Sequence, residues 1–239
     1  MEKIIVLGLN HKTAPVEIRE RLSFSEEQVA TFLKALQKSP GINEAMVIST
    51  CNRVEVLMTA DNERMAAETT KKFLSEHKHI PVRDFDNLLY LHTGDAGVGH
   101  LFKVASSLDS MIVGEPQILG QIKKAYQAAT LQKTSGVILN RLLHKTFSVA
   151  KRVRTETGIG DNAVSISFAA VELGRKIFGS LEKKKVLLIG AGDMAVLAVE
   201  NLINYRVGDI YVANRTFSRG VELANRFKGQ AVRMEEIED

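Results

Sequence analysis

The sequence predicts an α/β protein of two domains, on three observations. Short β-branched runs and helical periodicities alternate along the N-terminal part in the order β-α-β-β-α-β. From Asp95 to Thr157 the pattern is helical with one interruption. Near the C-terminus an apolar run turns through glycines into a helix. The first pattern is that of a ferredoxin-like split βαβ unit with added helices. The last is that of a Rossmann-type dinucleotide-binding domain, here a partial one. The expected division is residues 1–157 and residues 158–239.

The elements follow in order. "KIIVLGLN", stopping at Asn10-His11, reads as a buried strand. Ser25 is an N-cap with acidic residues in the first turn, Val29, Phe32, Leu33 and Leu36 recur at helical spacing, and Pro40-Gly41 stops that helix. "EAMVIST" and "RVEVLMTA" are two strands around a tight turn, "NERMAAETTKKFLSEH" is a helix, and "NLLYLHTG" is the fourth strand. "AGVGHLFKVASSL" and "QILGQIKKAYQAATLQ" are helices flanking the loop "SSLDSMIVGEP", and "GVILNRLLHKTFSVAKRVRTET" is a third. "GIGDN", Gly158 to Asn162, is rich in turn formers and is the expected hinge. "AVSISFAAVELGRKIFG" is then a helix and "VLLIG" a buried strand.

Bulk composition narrows the class. The 239 residues are 45% hydrophobic and 25% charged, ordinary for a globular protein. A single cysteine excludes an intramolecular disulfide and cannot make a thiolate zinc site by itself, and no metal site is expected. "KIIVLGLN" is too short for a signal-peptide core or a membrane span, so a cytoplasmic, membrane-free protein is expected. A net charge of +4 admits a polyanionic partner without demanding one.

"GAGDMA" from Gly190 to Ala195 follows a strand and opens a helix, the G-x-G-x-x-A form of the dinucleotide fingerprint. Gly190 permits the tight turn, Gly192 lets a pyrophosphate approach the backbone, and the helix start at Asp193-Met194 supplies free N–H groups. The second strand ends at Asn214-Arg215-Thr216, where an NAD enzyme carries an acidic residue. With no carboxylate there, Arg215, helped by Thr216 and Arg219, can pair with a 2′-phosphate, so the expected cofactor is NADPH. Only about two and a half β-α units follow, against roughly six strands in a complete dinucleotide sheet. The expectation is a truncated cofactor domain with an exposed apolar edge.

The lone Cys51 falls in the turn between the second and third strands, in "STCNR". Free cysteines are often small apolar fillers. Polar neighbours favour a thiol that works as a nucleophile, forming a thioester that hydride can reduce. Arg53, two residues on, and His11 and His100 are the groups able to act on it.

"GLNHKTAPVEIRERLSF", "STCNRVE", "ASSLDSMIVGEPQILGQIKKAY", "FSVAKRVRTETGIG" and "LLIGAGDMA" with "ANRT" together resemble glutamyl-tRNA reductase along essentially the whole chain. The resemblance implies NADPH-dependent reduction of glutamyl-tRNA to glutamate-1-semialdehyde, the first dedicated step towards 5-aminolevulinate and tetrapyrroles. It implies Cys51 as nucleophile and His100 as a residue associated with activity. Thr50, Asn52, Arg53, Ser110, Glu115, Pro116, Gln117 and Gln121 are implied as substrate-contacting positions, with Arg53 on the substrate carboxylate and Glu115 on its α-amino group. Gly190, Ala191, Gly192, Asp193, Met194, Ala195, Asn214, Arg215 and Thr216 are implied as the cofactor site. Lys123, Lys124, Lys145, Lys151, Arg152 and Arg154 are offered as tRNA phosphate contacts. The family forms homodimers through a further helical domain, absent from this sequence, and hands its product to an aminomutase. Two other readings fit parts of the chain: a dehydrogenase of the shikimate-dehydrogenase type, which needs no cysteine, and a truncated tRNA-binding fragment without catalysis.

Overall fold

In the computed structural model, residues 2–159 and 166–237 are described, apart from the side chains of Ile166 and Asp193. The chain divides into two units, residues 1–163 and 164–239.

The first unit is built on a four-stranded antiparallel sheet of order β2-β3-β1-β4. Its strands are β1 (Lys3–Asn10), β2 (Glu44–Ser49), β3 (Arg53–Ala60) and β4 (Tyr90–Thr93). The central strands β1 and β3 pair from Lys3↔Ala60 to Asn10↔Arg53, which brings Asn10 beside the β2–β3 turn. This is the split βαβ order, because β3 lies between β1 and β2.

Helices α1 (Val16–Leu22) and α2 (Glu26–Gln37) connect β1 to β2, and α3 (Glu63–Lys78) leads through two 3₁₀ turns to β4. Ser25 caps α2 as expected: its hydroxyl accepts from Gln28 N, and Gln28 returns an acceptor to Ser25 N. The seven-residue α1 was not expected. It is too short for a periodicity to show, and it is fixed by a contact to the β2–β3 turn described below. The added helices are α4 (Asp95–Ala105), α5 (Gln117–Leu131) and α6 (Val137–Thr157). One apolar core joins sheet and helices, with Leu7, Phe32, Met46, Leu57, Phe85, Val104, Ile122 and Leu143 within it.

The second unit holds α7 (Ile166–Phe178), β5 (Val186–Ile189), α8 (Asp193–Asn204), β6 (Ile210–Ala213), α9 (Phe217–Arg226) and β7 (Gln230–Val232). Its parallel sheet runs β5-β6-β7. The expectation that "VLLIG" is buried is corrected: Leu187 is 44% and Ile189 66% exposed. β5 is the first strand of the sheet order, and its side chains alternate between a half-covered and an open face. Of the expected hinge, Gly158 ends α6 in the left-handed conformation (φ 62°), while Gly160, Asp161 and Asn162 lie outside the described residues. Among the described residues no helix is long and apolar enough to cross a membrane.

Candidate active site

The β2–β3 connection is a three-residue turn with Cys51 exposed at its tip. Thr50 N donates to Arg53 O at 2.9 Å, and the Thr50 hydroxyl accepts from the backbone N–H groups of Asn52 and Arg53 at 3.2 and 3.1 Å. Threonine therefore closes the turn with its own side chain. Arg19, from the unexpected α1, clamps it from outside: its guanidinium donates to Cys51 O at 2.5 Å, Asn52 Oδ1 at 3.1 Å and Ala14 O at 3.2 Å. His11 N donates to Asn52 O at 2.9 Å, while His11 Nδ1 is buried with no partner among the described residues. Two segments distant in sequence, at His11 and Arg19, thus join Thr50 in holding the backbone on either side of one thiol.

The assignment of Arg53 to a substrate carboxylate is corrected by its surroundings. Arg53 is 1% exposed; it donates to Glu55 Oε1 at 2.7 Å and, through Nη2, to Asp109 O and to Asp109 Oδ2 at 3.1 Å. The alternation of β3 turns Arg53 and Glu55 to the same inner face, so the arginine neutralises a buried carboxylate instead of meeting a ligand. Burial alone would raise the Glu55 pKa, but hydrogen bonding from His100 and the charge of Arg53 bring it below the ordinary value.

Gly8 makes this arrangement possible. It lies between Glu55 and Tyr90 in the sheet register, and a Cβ there would meet Val54 O at 2.5 Å and Glu55 Cγ at 2.7 Å. The bare strand lets Glu55 reach over β1 to Tyr90 Oη (2.5 Å) and His100 Nε2 (2.8 Å). His100 is therefore engaged with Glu55, and its ring stacks on His92 at 4.6 Å. The ionisable groups acting on the Cys51 thiol are Glu115 and Arg19. Partial burial, then the Glu115 carboxylate, raise the thiol pKa above its ordinary value against the lowering effects of a backbone hydrogen bond and Arg19.

The loop between α4 and α5 faces this turn. Asp109 accepts from Asn10 Nδ2 at 3.3 Å and pairs with Lys12 as well as Arg53. Ser110 and Glu115 are half-buried, and burial raises the Glu115 carboxyl pKa. Exposed Pro116 is the N-cap of α5 and Gln117 its first residue. One turn on, Gln121 lines a cleft of about 500 Å³ between α2 and α5, shared with Phe24, Ser49 and Lys124.

Of the basic residues offered for tRNA, Lys123, Lys124, Lys145 and Lys151 are exposed, and Arg152 pairs with Glu156. Arg154 is corrected: its guanidinium points into the α4–α5 loop, donating to Ser107 Oγ and Glu115 O, each at 2.7 Å. Arg19, Glu55, Tyr90 and Asp109 escaped the sequence reading because each matters through a partner far along the chain.

In the second unit, Gly190 has φ 110°, a conformation L side chains rarely adopt. A Cβ on Gly190 or Gly192 would meet nothing within 4 Å, so the protein's own packing does not call for glycine at Gly192. The free space lies at the N-terminus of α8, where a pyrophosphate fits. Ala195 packs into the small apolar core behind the turn. Asn214 braces the turn, accepting from Ala191 N at 3.1 Å and donating to Thr216 O at 2.7 Å. Arg215 and Thr216 are exposed, and Arg219 and Arg226 line a cleft of about 520 Å³ with Ala191 and Gly192. Met194 is half-buried, its carbonyl accepting from Ser167 Oγ at 2.9 Å.

Residues 7–157 match the family described as Glutamyl-tRNAGlu reductase, N-terminal domain, and residues 172–239 match Shikimate / quinate 5-dehydrogenase. Proteins named glutamyl-tRNA reductase from Desulfatibacillum aliphaticivorans and Geotalea uraniireducens are 56% and 54% identical over 236 residues, 99% of this chain and 54% of theirs. A solved structure of glutamyl-tRNA reductase from Methanopyrus kandleri superposes with a TM-score of 0.61 at 37% identity, covering 99% of this chain and 55% of that one. The chain spans about half the length of the relatives it matches. It belongs to the glutamyl-tRNA reductase family.

Proposed function

We propose that this chain carries the acyl-transfer site and the nucleotide-binding turn of an NADPH-dependent reductase of glutamyl-tRNA, forming glutamate-1-semialdehyde for tetrapyrrole synthesis in the cytoplasm. The observation that carries the reading is the exposed Cys51, held at the tip of a turn that Arg19 and Thr50 rigidify.

Cys51, as thiolate, attacks the ester carbonyl between glutamate and the tRNA 3′ end; the C–O bond breaks and the tRNA hydroxyl leaves with a proton. In this reading Glu115 pairs with the substrate ammonium, and that pairing neutralises a carboxylate that opposes the thiolate. Ser110, Gln117 and Gln121 supply neutral donors and acceptors, and Thr50 and Asn52 hold the backbone under the thiol. His100, fixed by Glu55, is assigned a part in activity through the family resemblance. Arg53 acts from behind, by holding Asp109 and the loop. Gly190 to Ala195 would hold the pyrophosphate of NADPH, which when bound would supply the hydride for reducing the Cys51 thioester. Choice of NADPH over NADH rests on exposed Arg215 and on Arg219 in the cleft, with no carboxylate at the end of β6. The exposed lysines of α5 and α6 are the proposed phosphate contacts. Homodimer formation and delivery to an aminomutase are proposed by family membership alone.

Single-turnover reaction with glutamyl-tRNA, read by intact mass after acid quench, tests this. Wild type should gain a glutamyl adduct that Cys51→Ser lacks, and NADPH should discharge it as aldehyde. Equal deacylation by both proteins without adduct would leave Cys51 a structural thiol. Undiminished hydride transfer in Cys51→Ser would instead favour the dehydrogenase reading that residues 172–239 also allow.

A further inference from the structure

The α4–α5 loop is fastened at two places. Near its start Asp109 is held by Asn10, Lys12 and Arg53, as described. Its base is closed separately: Gly114 N donates to Ser107 O at 3.0 Å, and Ser107 Oγ donates to Glu115 O at 2.5 Å. Arg154, in the last turns of α6, then donates through Nη2 to both Ser107 Oγ and Glu115 O. Ser107 is fully buried at φ 62°, a strained conformation for a residue with a Cβ, and buried Gly114 is at φ 88°. A strained, closed base persists only where its buried polar groups are satisfied. Arg154 is the charged donor that satisfies them from another helix.

We propose that Arg154 is a positioning residue: by clamping the Ser107 and Glu115 ends of the loop, it sets where Ser110 and Glu115 stand against the Cys51 turn. This inference rests on the proposed acyl transfer for its functional meaning, since those groups are the ones placed toward the substrate. A lysine is shorter and lacks the planar guanidinium that aims Nη2 at both acceptors, so it replaces the clamp only in part. The exposed lysines of the same helix are left for phosphate, whereas Arg154 is half-buried and occupied.

Release of the loop withdraws two things from the thiol, its partial burial and the Glu115 carboxylate, against the constant charge of Arg19. Both changes favour the thiolate. The test is the pH profile of Cys51 alkylation by iodoacetamide, followed by intact mass, in wild type, Arg154→Gln, Arg154→Lys and Arg152→Gln as a same-helix control. Arg154→Gln should alkylate at least about threefold faster at pH 7, Arg154→Lys less so, and Arg152→Gln as wild type does. In a Glu115→Gln background the effect of Arg154→Gln should shrink, because the carboxylate charge it would withdraw is already gone. With glutamyl-tRNA, Arg154→Gln should slow adduct formation even at saturating substrate. A wild-type alkylation profile in Arg154→Gln overturns the proposal. Should that variant fail to fold, Ser107→Ala removes the hydroxyl that accepts from Arg154 and donates to Glu115 O, and an unchanged profile there overturns it equally. Alkylation needs no substrate, so absence of a glutamyl adduct on wild type would sink the functional reading while the alkylation shift still decides the clamp.

Discussion

Arg53 and Glu55 form an ion pair whose side chains are each 1% exposed, so two charges have been taken out of water and must satisfy one another. Removing one partner strands the other. Arg53→Met is expected to cost about 3–5 kcal/mol, because Glu55 keeps its charge with only Tyr90 and His100 as donors. Arg53→Lys should also be costly, since a single ammonium cannot serve Glu55 and both Asp109 acceptors as a fork does. Denaturant midpoints for Arg53→Met, Glu55→Gln and the double variant measure the coupling. Strict additivity would show that the pair does not act as one unit. The same residue-scale logic gives Cys51 a definite sign. Glu115 opposes the thiolate, so Glu115→Gln should lower the thiol pKa and raise its alkylation rate at neutral pH. An unchanged rate would remove Glu115 from the thiol's surroundings.

At the scale of elements, α6 begins without a side-chain cap from its own N-cap residue, Gly136. The orphan N–H groups of Gly136, Ile138 and Leu139 donate instead to the two carboxylate oxygens of Glu44, at 2.7–3.0 Å. The negative charge also suits the positive end of the helix. A Cβ at Gly136 would lie 2.6 Å from Glu44 Oε1, so a side chain there would push the capping carboxylate aside. Glu44→Ala should therefore cost about 1–3 kcal/mol and remove hydrogen-exchange protection from the first turn of α6. Protection that survives the substitution would mean that packing alone holds that helix end. The contrast with α2 shows what can be read in a sequence. The Ser25 capping box spans three residues and is legible. The Glu44 cap reaches 92 residues to Gly136 and is not. The same division runs through the site: Cys51 and the Gly190–Ala195 turn announce themselves locally, whereas the clamps made by Arg19 and Arg154 appear only when distant segments meet. Arg53 misled because an arginine beside a nucleophile suggests a ligand, and only the strand's alternation shows that it points inward.

For the molecule as a whole, the titrating groups predict how stability depends on pH. Burial lowers the pKa of His11, His77 and His92 below 6.5. The unfolded chain then binds more protons than the folded one as pH falls through about 6.5, so stability is full above that value and declines below it. Glu55 and Asp109 have pKa values depressed in the folded state, despite burial, by their hydrogen bonds and by Arg53 or Lys12. Their contribution is present above the ordinary carboxylate range and is lost as pH falls through their folded values. Glu115 works the other way, since its raised pKa favours the folded state at low pH. Two groups of depressed sites outnumber it, so acid destabilisation should come in two limbs, a histidine limb beginning near neutrality and a carboxylate limb below about pH 4.5. Urea midpoints between pH 8 and pH 3 resolve the limbs. His77→Phe keeps an aromatic ring against Phe24 and Phe32 while removing a titrating nitrogen, so it should flatten the upper limb and leave the lower one. A midpoint that is flat from pH 7 to pH 5.5 in wild type would show that these histidines open to solvent before they take up protons, and would leave acid sensitivity to the Arg53–Glu55–Asp109 network alone.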